Sequence, residues 1–316
     1  MIKIMADSTC DLSQDIIEKY NIGVAPLTIN IEGKPYRDKI DIQPDEFYDM
    51  IQELKDVTTA MPSPNEYLKI MNEAVKEGHT EILCICMSSG TSGAYYSGVM
   101  AKEMFYEENP NSDVKIHVVD SKGMSHGSGW LILKTAKLRE QGATYEELIK
   151  FNESYKTSVK HFLAVDDLDH LIKSGRLTNA SAFIGKILKI KPIMSMRKGK
   201  GAIVAKERGR KKVLKHYIDE FIKRNDPEVT DFIIVGYTSD KKVAENLKLK
   251  IQEETEFNGD IFIMQMGVAV GTHVGLGGIS MFFVEKGHKR DGLFINEFND
   301  LMEMKNDLLG KLKDHE

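Results

Sequence analysis

Hydroxyl and imidazole groups set among glycines are the residues of this sequence best equipped for chemistry. The stretch "CICMSSGTSGAYYSG", Cys84 to Gly98, places Ser88, Ser89, Thr91 and Ser92 after an apolar run and before a helix-like segment. A strand that ends this way gathers hydroxyls and backbone N–H groups around one point, which suits an anion. The same residues suit an ordinary strand–helix turn with a serine cap. A nucleotide P-loop would need the lysine of G-x-x-x-x-G-K-[ST], which this stretch lacks. A nucleophile elbow would need G-x-S-x-G, and Gly90-Thr91-Ser92-Gly93 does not fit it.

Other candidates lie elsewhere in the chain. Thr58 and Thr59, in "DVTTAMPSPNEY", precede a Pro-rich helix entry, where hydroxyls commonly act as caps. His273 lies among Gly267, Gly271, Gly275, Gly277 and Gly278, and reads as part of a glycine-rich loop. Such a loop lets backbone and imidazole approach a ligand closely; a histidine there donates to a carboxylate, acts as a base, or is purely structural. Arg176, in "KSGR", clamps a carboxylate or phosphate with its planar fork, or else pairs with an acid, while nearby Asp167 reads as a helix cap. "ADST" (Asp7 to Thr9) and "VVDSK" (Asp120 to Lys122) put polar groups at strand ends, where open α/β sheets bind ligands. The cations between Arg197 and Lys215, including Arg208, Arg210, Lys211 and Lys212, form either a solvated helix start or a docking patch for an acidic or phosphate-bearing partner. Without interleaved aromatics, that segment argues against nucleic acid.

The elements that must position these groups alternate along the chain. Strand-like runs such as "MIKIMADS", "EILCICM", "VKIHVVDS", "HFLAVDD", "DFIIVGY" and "ISMFFVE" are interleaved with amphipathic segments. This pattern predicts an α/β fold of two lobes with mainly parallel sheets. A hairpin is expected at Glu32-Gly33, a turn at "KGKG", and a helix over "ASAFIGKIL". The expected division is residues 1–160, residues 161–285, and an amphipathic helical tail over 286–316. Composition is that of an ordinary globular protein: 41% hydrophobic, 29% charged and a net charge of -5, which excludes disorder and general nucleic-acid affinity. Three cysteines, Cys10, Cys84 and Cys86, read as small buried hydrophobes rather than disulfides or a metal site. With no apolar run near the ~18 residues of a membrane span and no signal-peptide pattern, a cytoplasmic location is expected.

Taken together and in order, the motifs resemble the DegV family of fatty-acid-binding proteins. The resemblance rests on "DSTCDLSQDIIEKYNIGVAPLTI", "TTAMPSPNEY", "SSGTSGAYYSG", "VVDSKGMSHGSG", "VDDLDHLIKSGRLTNASAFIGKILKIKPIM", "ERGRKK" and "HVGLGG", and covers about residues 1 to 285. It implies a long-chain fatty acid buried between or beneath the lobes, and no cofactor. It implies a carboxylate held by Thr58, Thr59, Ser89, Ser92 and His273, with Arg176 near the head group. It also implies a non-catalytic carrier that presents the lipid to a fatty acid kinase, with transient membrane contact at most. The kinase would phosphorylate the carboxylate with ATP, docking on Arg208, Arg210, Lys211 and Lys212. The sequence departs from the family pattern at Ala60 and Met61, where Ser and Gln are usual, and in its tail. The competing expectation is a serine hydrolase or acyltransferase built from Ser89 or Ser92 with His273 and Asp120. Burying ~14 methylenes at ~0.8 kcal/mol each supplies about 11 kcal/mol, so the tail would provide most of the affinity. The head-group contacts would then chiefly prevent an uncompensated buried charge.

Overall fold

The structure is a computed structural model that describes residues 1–166, 168–178 and 190–287. The expected helices over "ASAFIGKIL" and in the tail, and Asp167, lie outside the described residues. The first half runs β1 (Ile2–Asp7), α1 (Gln14–Lys19), β2 (Ile22–Ala25), β3 (Thr28–Ile31), β4 (Lys34–Arg37), α2 (Pro44–Met50), β5 (Val57–Ala60), α3 (Pro64–Lys76), β6 (Glu81–Cys86), α4 (Ala94–Glu108), β7 (Lys115–Asp120), α5 (His126–Glu140) and α6 (Tyr145–Tyr155). The second half runs β8 (Val159–Ala164), α7 (Asp169–Lys173), β9 (Ile190–Arg197), β10 (Lys200–Arg208), α8 (Arg210–Arg224), β11 (Phe232–Tyr237), α9 (Lys241–Glu254), β12 (Asp260–Gln265), α10 (Val268–Val274) and β13 (Ile279–Val284).

Parallel pairing is complete in the four-stranded sheet β2-β1-β6-β7, whose strands are buried apolar runs separated by helices. The six-stranded sheet β10-β9-β8-β13-β11-β12 departs from the mainly parallel arrangement expected for it: only β11 and β12 run parallel. The connections give the reason. The β11 and β12 strands are joined by the α9 crossover, which a parallel pair requires. A two-residue turn, Lys198-Gly199, joins β9 to β10, and its positive φ values of 50° and 71° fit the primed turns of antiparallel hairpins. Glu32 and Gly33, with φ of 49° and 80°, make the same kind of turn between β3 and β4 in the small antiparallel sheet β4-β3-β5.

Helix α5 is buried without a break from His126 to Leu133 because it is packed on both sides. Its Trp130, Leu131, Ile132 and Leu133 share one core with Ile4, Leu83 and Val119 of the first sheet and with Phe232, Ile234 and Phe282 of the second. Trp130 stacks on Phe232 at 4.9 Å and donates Nε1–H to the Phe232 carbonyl at 3.0 Å. Gly127, in the first turn of α5, is required by close approach: an added Cβ would lie 1.9 Å from His161 Nε2. All three cysteines are free and buried. Among the described residues no helix is long and apolar enough to cross a membrane.

Candidate functional site

A cavity of about 470 Å³ opens beyond the carboxyl ends of β1, β6 and β7 and is closed by β8, β9, β13 and α10. This is the edge at which α/β sheets offer unpaired backbone and loop side chains to ligands. Its volume falls within the usual ~300–1,000 Å³ of a small-molecule site. Its wall is largely aliphatic and thioether, with Met87, Met124, Leu163, Met194, Met266 and Val270 among the lining side chains. Unbranched methionines adapt to an irregular or flexible apolar chain. Their abundance, 16 in the chain, was a signal available in the sequence that motif reasoning passed over.

The hydroxyl-rich turn borders this cavity, but most of its hydroxyls are already committed. Ser88 and Thr91 both donate to the Gly199 carbonyl, at 2.7 and 3.0 Å, latching the tip of the β9–β10 hairpin. Gly90 lies so close to that tip that a Cβ would come within 2.6 Å of the Gly199 oxygen. Ser89 donates its hydroxyl proton to Asp120 in a short hydrogen bond, and its N–H donates to the same carboxylate at 3.1 Å. Lys122 completes that group, 2.6 Å from Asp120 and 3.4 Å from Ser89 Oγ. These donors hold the Asp120 carboxyl below the usual range even though burial opposes them. Ser92 differs from its neighbours. Its Oγ accepts the Ala94 N–H at 3.2 Å, which leaves the proton for a ligand in the cavity it lines.

Thr59 and His273 meet in the cavity wall, Oγ1 to Nε2, at 2.9 Å. Strand alternation puts Thr59 inward and Thr58 outward, so of the two only Thr59 borders the main cavity. The segment carrying His273 is not the loop expected from its glycines. It forms the short helix α10, bracketed by Gly267 and Gly275, with Gly271 packed where a Cβ would lie 2.3 Å from the Tyr48 hydroxyl. Two buried carboxylates, which the sequence reading had not singled out, anchor its amino end. Asp11 accepts the Gly267 N–H at 2.8 Å, and Asp38, buried beside it, accepts the Ser8 hydroxyl at 2.7 Å. Negative charge is favourable at that end of a helix. Burial still pushes the Asp11 carboxyl up to about 7, against the lowering effects of Lys39 and the Ser125 hydroxyl. Burial likewise lowers the His273 imidazole to about 4, with smaller contributions from Arg176 and His170. At neutral pH His273 is therefore uncharged, and its Nδ1 is buried without a hydrogen-bond partner.

Arg176 also lines the cavity, and its guanidinium bonds the Ser174 carbonyl. Met61, which replaces the usual family residue, borders the cavity while remaining 51% exposed, and covers Gly93 so closely that a Cβ there would lie 2.2 Å from its Sδ. The basic segment is not uniform. Arg208, Lys211 and Lys212 are exposed, whereas Arg210 is half-buried and paired with Asp166 at 2.7 Å. The elements of a serine triad are present but not assembled: Ser89 bonds Asp120 directly, and His273 Nε2 bonds Thr59. Among the described residues no group of three or more His, Cys, Asp or Glu is placed to hold a metal ion.

The comparisons with known proteins agree with this architecture. Residues 1–286 match the model of uncharacterised proteins of the DegV family. The chain belongs to the DegV family. A DegV domain-containing protein of Clostridium acetobutylicum is 36% identical over 289 residues, covering 90% of this chain and 99% of its own. Among solved DegV structures, one from Thermus thermophilus described as binding fatty acid superposes with a TM-score of 0.80 at 26% identity, covering 90% of this chain and 99% of its own. A stearic-acid-binding protein from Eubacterium ventriosum superposes with a TM-score of 0.78 at 26% identity, again covering 90% and 99%.

Proposed function

We propose that this chain is a cytoplasmic, non-catalytic carrier of a long-chain fatty acid. The observation that carries the reading is the methionine-rich cavity of about 470 Å³ with the Thr59–His273 pair in its wall. An acyl tail gains roughly 0.8 kcal/mol per buried methylene there, enough to bind after the costs of association are met. The carboxylate takes hydrogen bonds from Ser92 and from the Thr59–His273 pair, with Arg176 supplying positive charge. Ser89 acts through the fold, by holding Asp120, and Thr58 lies outside the clamp. The fatty-acid-binding DegV relatives support the ligand class.

The partner in this reading is a fatty acid kinase that carries ATP. A carboxylate oxygen attacks the γ-phosphorus, an O–P bond forms, the bond from γ-phosphorus to the bridging oxygen breaks, and ADP leaves with that electron pair. Exposed Arg208, Lys211 and Lys212 form the docking surface, with Arg210 fixed to Asp166 behind them.

The test is native purification followed by solvent extraction and mass spectrometry. A stoichiometric fatty acid is expected; an empty extract, also after incubation with mixed fatty acids, sinks the reading. Charge reversal at Arg208, Lys211 and Lys212 is expected to abolish kinase-dependent acyl phosphate formation while lipid affinity stays unchanged. A fluorophosphonate probe is expected to leave Ser89 and Ser92 unlabelled, because no base takes either proton.

A further inference from the structure

A second cleft, about 380 Å³ in volume, shares Thr59, Arg176 and His273 with the fatty-acid cavity. These residues form a common wall, so the two spaces adjoin there. The two spaces differ in charge. Among the described residues the main cavity has Arg176 as its single permanent cation, while the cleft adds Lys55 and Lys173, with His170 alongside. None of the described residues lining the cleft is acidic, in a chain whose acids outnumber its Lys and Arg by 48 to 43. Among the described residues neither Lys55 nor Lys173 makes an ion pair, so no carboxylate offsets their charge. His273 contributes a buried Nδ1 that has no hydrogen-bond partner.

We propose that this cleft is an anion subsite that receives the phosphate of an acyl phosphate whose acyl chain occupies the main cavity. The inference rests on the fatty-acid reading above and names the part of the molecule that handles the product. Phosphorylating a carboxylate replaces one negative charge with a group of about two charges and three exposed acceptor oxygens. An apolar cavity cannot compensate that charge. The cleft adjoins the carboxylate position across the shared wall, and its cations match a phosphate. Lysines serve such a group as mobile point charges, and Arg176 as a planar fork.

The test compares two ligands of equal chain length on the full-length protein by calorimetry. One is palmitate. The other is 2-oxoheptadecylphosphonate, in which a methylene replaces the bridging oxygen of palmitoyl phosphate. The wild-type protein is expected to bind both, the phosphonate at least as tightly. Lys55→Glu/Lys173→Glu is expected to lose about 30-fold in phosphonate affinity and less than about threefold in palmitate affinity, since only the former ligand meets the charge reversal. The milder Lys55→Gln/Lys173→Gln should lose an intermediate amount and guards against a folding defect. Equal losses for both ligands, or no loss for either, overturn the subsite. Wild-type protein that binds palmitate but rejects the phosphonate leaves the carrier reading intact and removes the cleft from it. Failure to bind either ligand overturns both readings. Competition by inorganic phosphate alone that matches the phosphonate in strength shows a free-anion site and overturns the lipid-borne assignment.

Discussion

The turn after β6 and the wall formed by β5 and α10 carry similar residues and use them differently. In the turn, Ser88 and Thr91 secure the β9–β10 hairpin, and Ser89 is drawn into the Asp120–Lys122 pair. In the wall, Thr59 meets an uncharged imidazole whose other nitrogen has no partner. A hydroxyl that already donates has little left to offer a ligand, and a buried group without a partner gains the most from one. The difference between structural and binding hydroxyls is therefore set by their partners and not by their type.

The largest effect expected from this contrast is at Asp120. Asp120→Ala should cost about 2–3 kcal/mol in urea unfolding, because Ser89 loses its acceptor and Lys122 its counter-ion, with solvent recovering part of the loss. Fatty-acid affinity should stay within about threefold. A large affinity loss at unchanged stability would move Ser89 from the fold into the site.

The support of the wall should show in pH dependence. Asp11 has a folded value of about 7 against an ordinary 3.8, so its contribution to stability is full below pH 3.8 and is lost as pH rises through 7. From pH 5 to pH 8 the wild type should lose about 2 kcal/mol relative to Asp11→Asn, which cannot ionise. Unfolding curves with parallel pH profiles would show that Asp11 does not carry a raised value. His126 and His273 act in the opposite sense, since burial lowers them to about 3 and about 4. Their contributions are lost on acidification below 6.5.

Within the wall, His273→Ala should reduce fatty-acid affinity about 30-fold, roughly 2 kcal/mol, and change stability by less than about 1 kcal/mol. Titration with a fluorescent fatty acid and a melting curve on the same sample measure both. The smallest effects separate two serines of the same turn, Ser89 and Ser92. Ser92→Ala should cost about fivefold in affinity and little stability, and Ser89→Ala about 1 kcal/mol of stability with affinity within about twofold. The reverse assignment would collapse the contrast between the two regions.

Much of the architecture is legible from local pattern. Short, mostly apolar segments mark β1, β6, β7, β11 and β13, and Glu32-Gly33 marks its hairpin, because burial and positive φ leave signs in residue type. Strand direction in the second sheet is less legible, since the β13 strand returns between β8 and β11 by pairings that no local segment encodes. The glycines around His273 mislead for a related reason: Gly271 answers to the Tyr48 hydroxyl, more than two hundred residues away in sequence.

The sequence by itself determined the α/β class, the membership of the hydroxyls, His273 and Arg176 among the candidates, and the exposed basic run at Arg208, Lys211 and Lys212. Each of these depends on residue type and short-range spacing. Only the tertiary structure decided which candidates act together. Alternation along β5 separates Thr59 from Thr58, the hairpin tip at Gly199 occupies Ser88 and Thr91, and Asp120 accepts the hydrogen bond of Ser89. The hydrogen bonds among these outcomes join residues 31 to 111 positions apart in sequence, so their partners are fixed only when the chain folds.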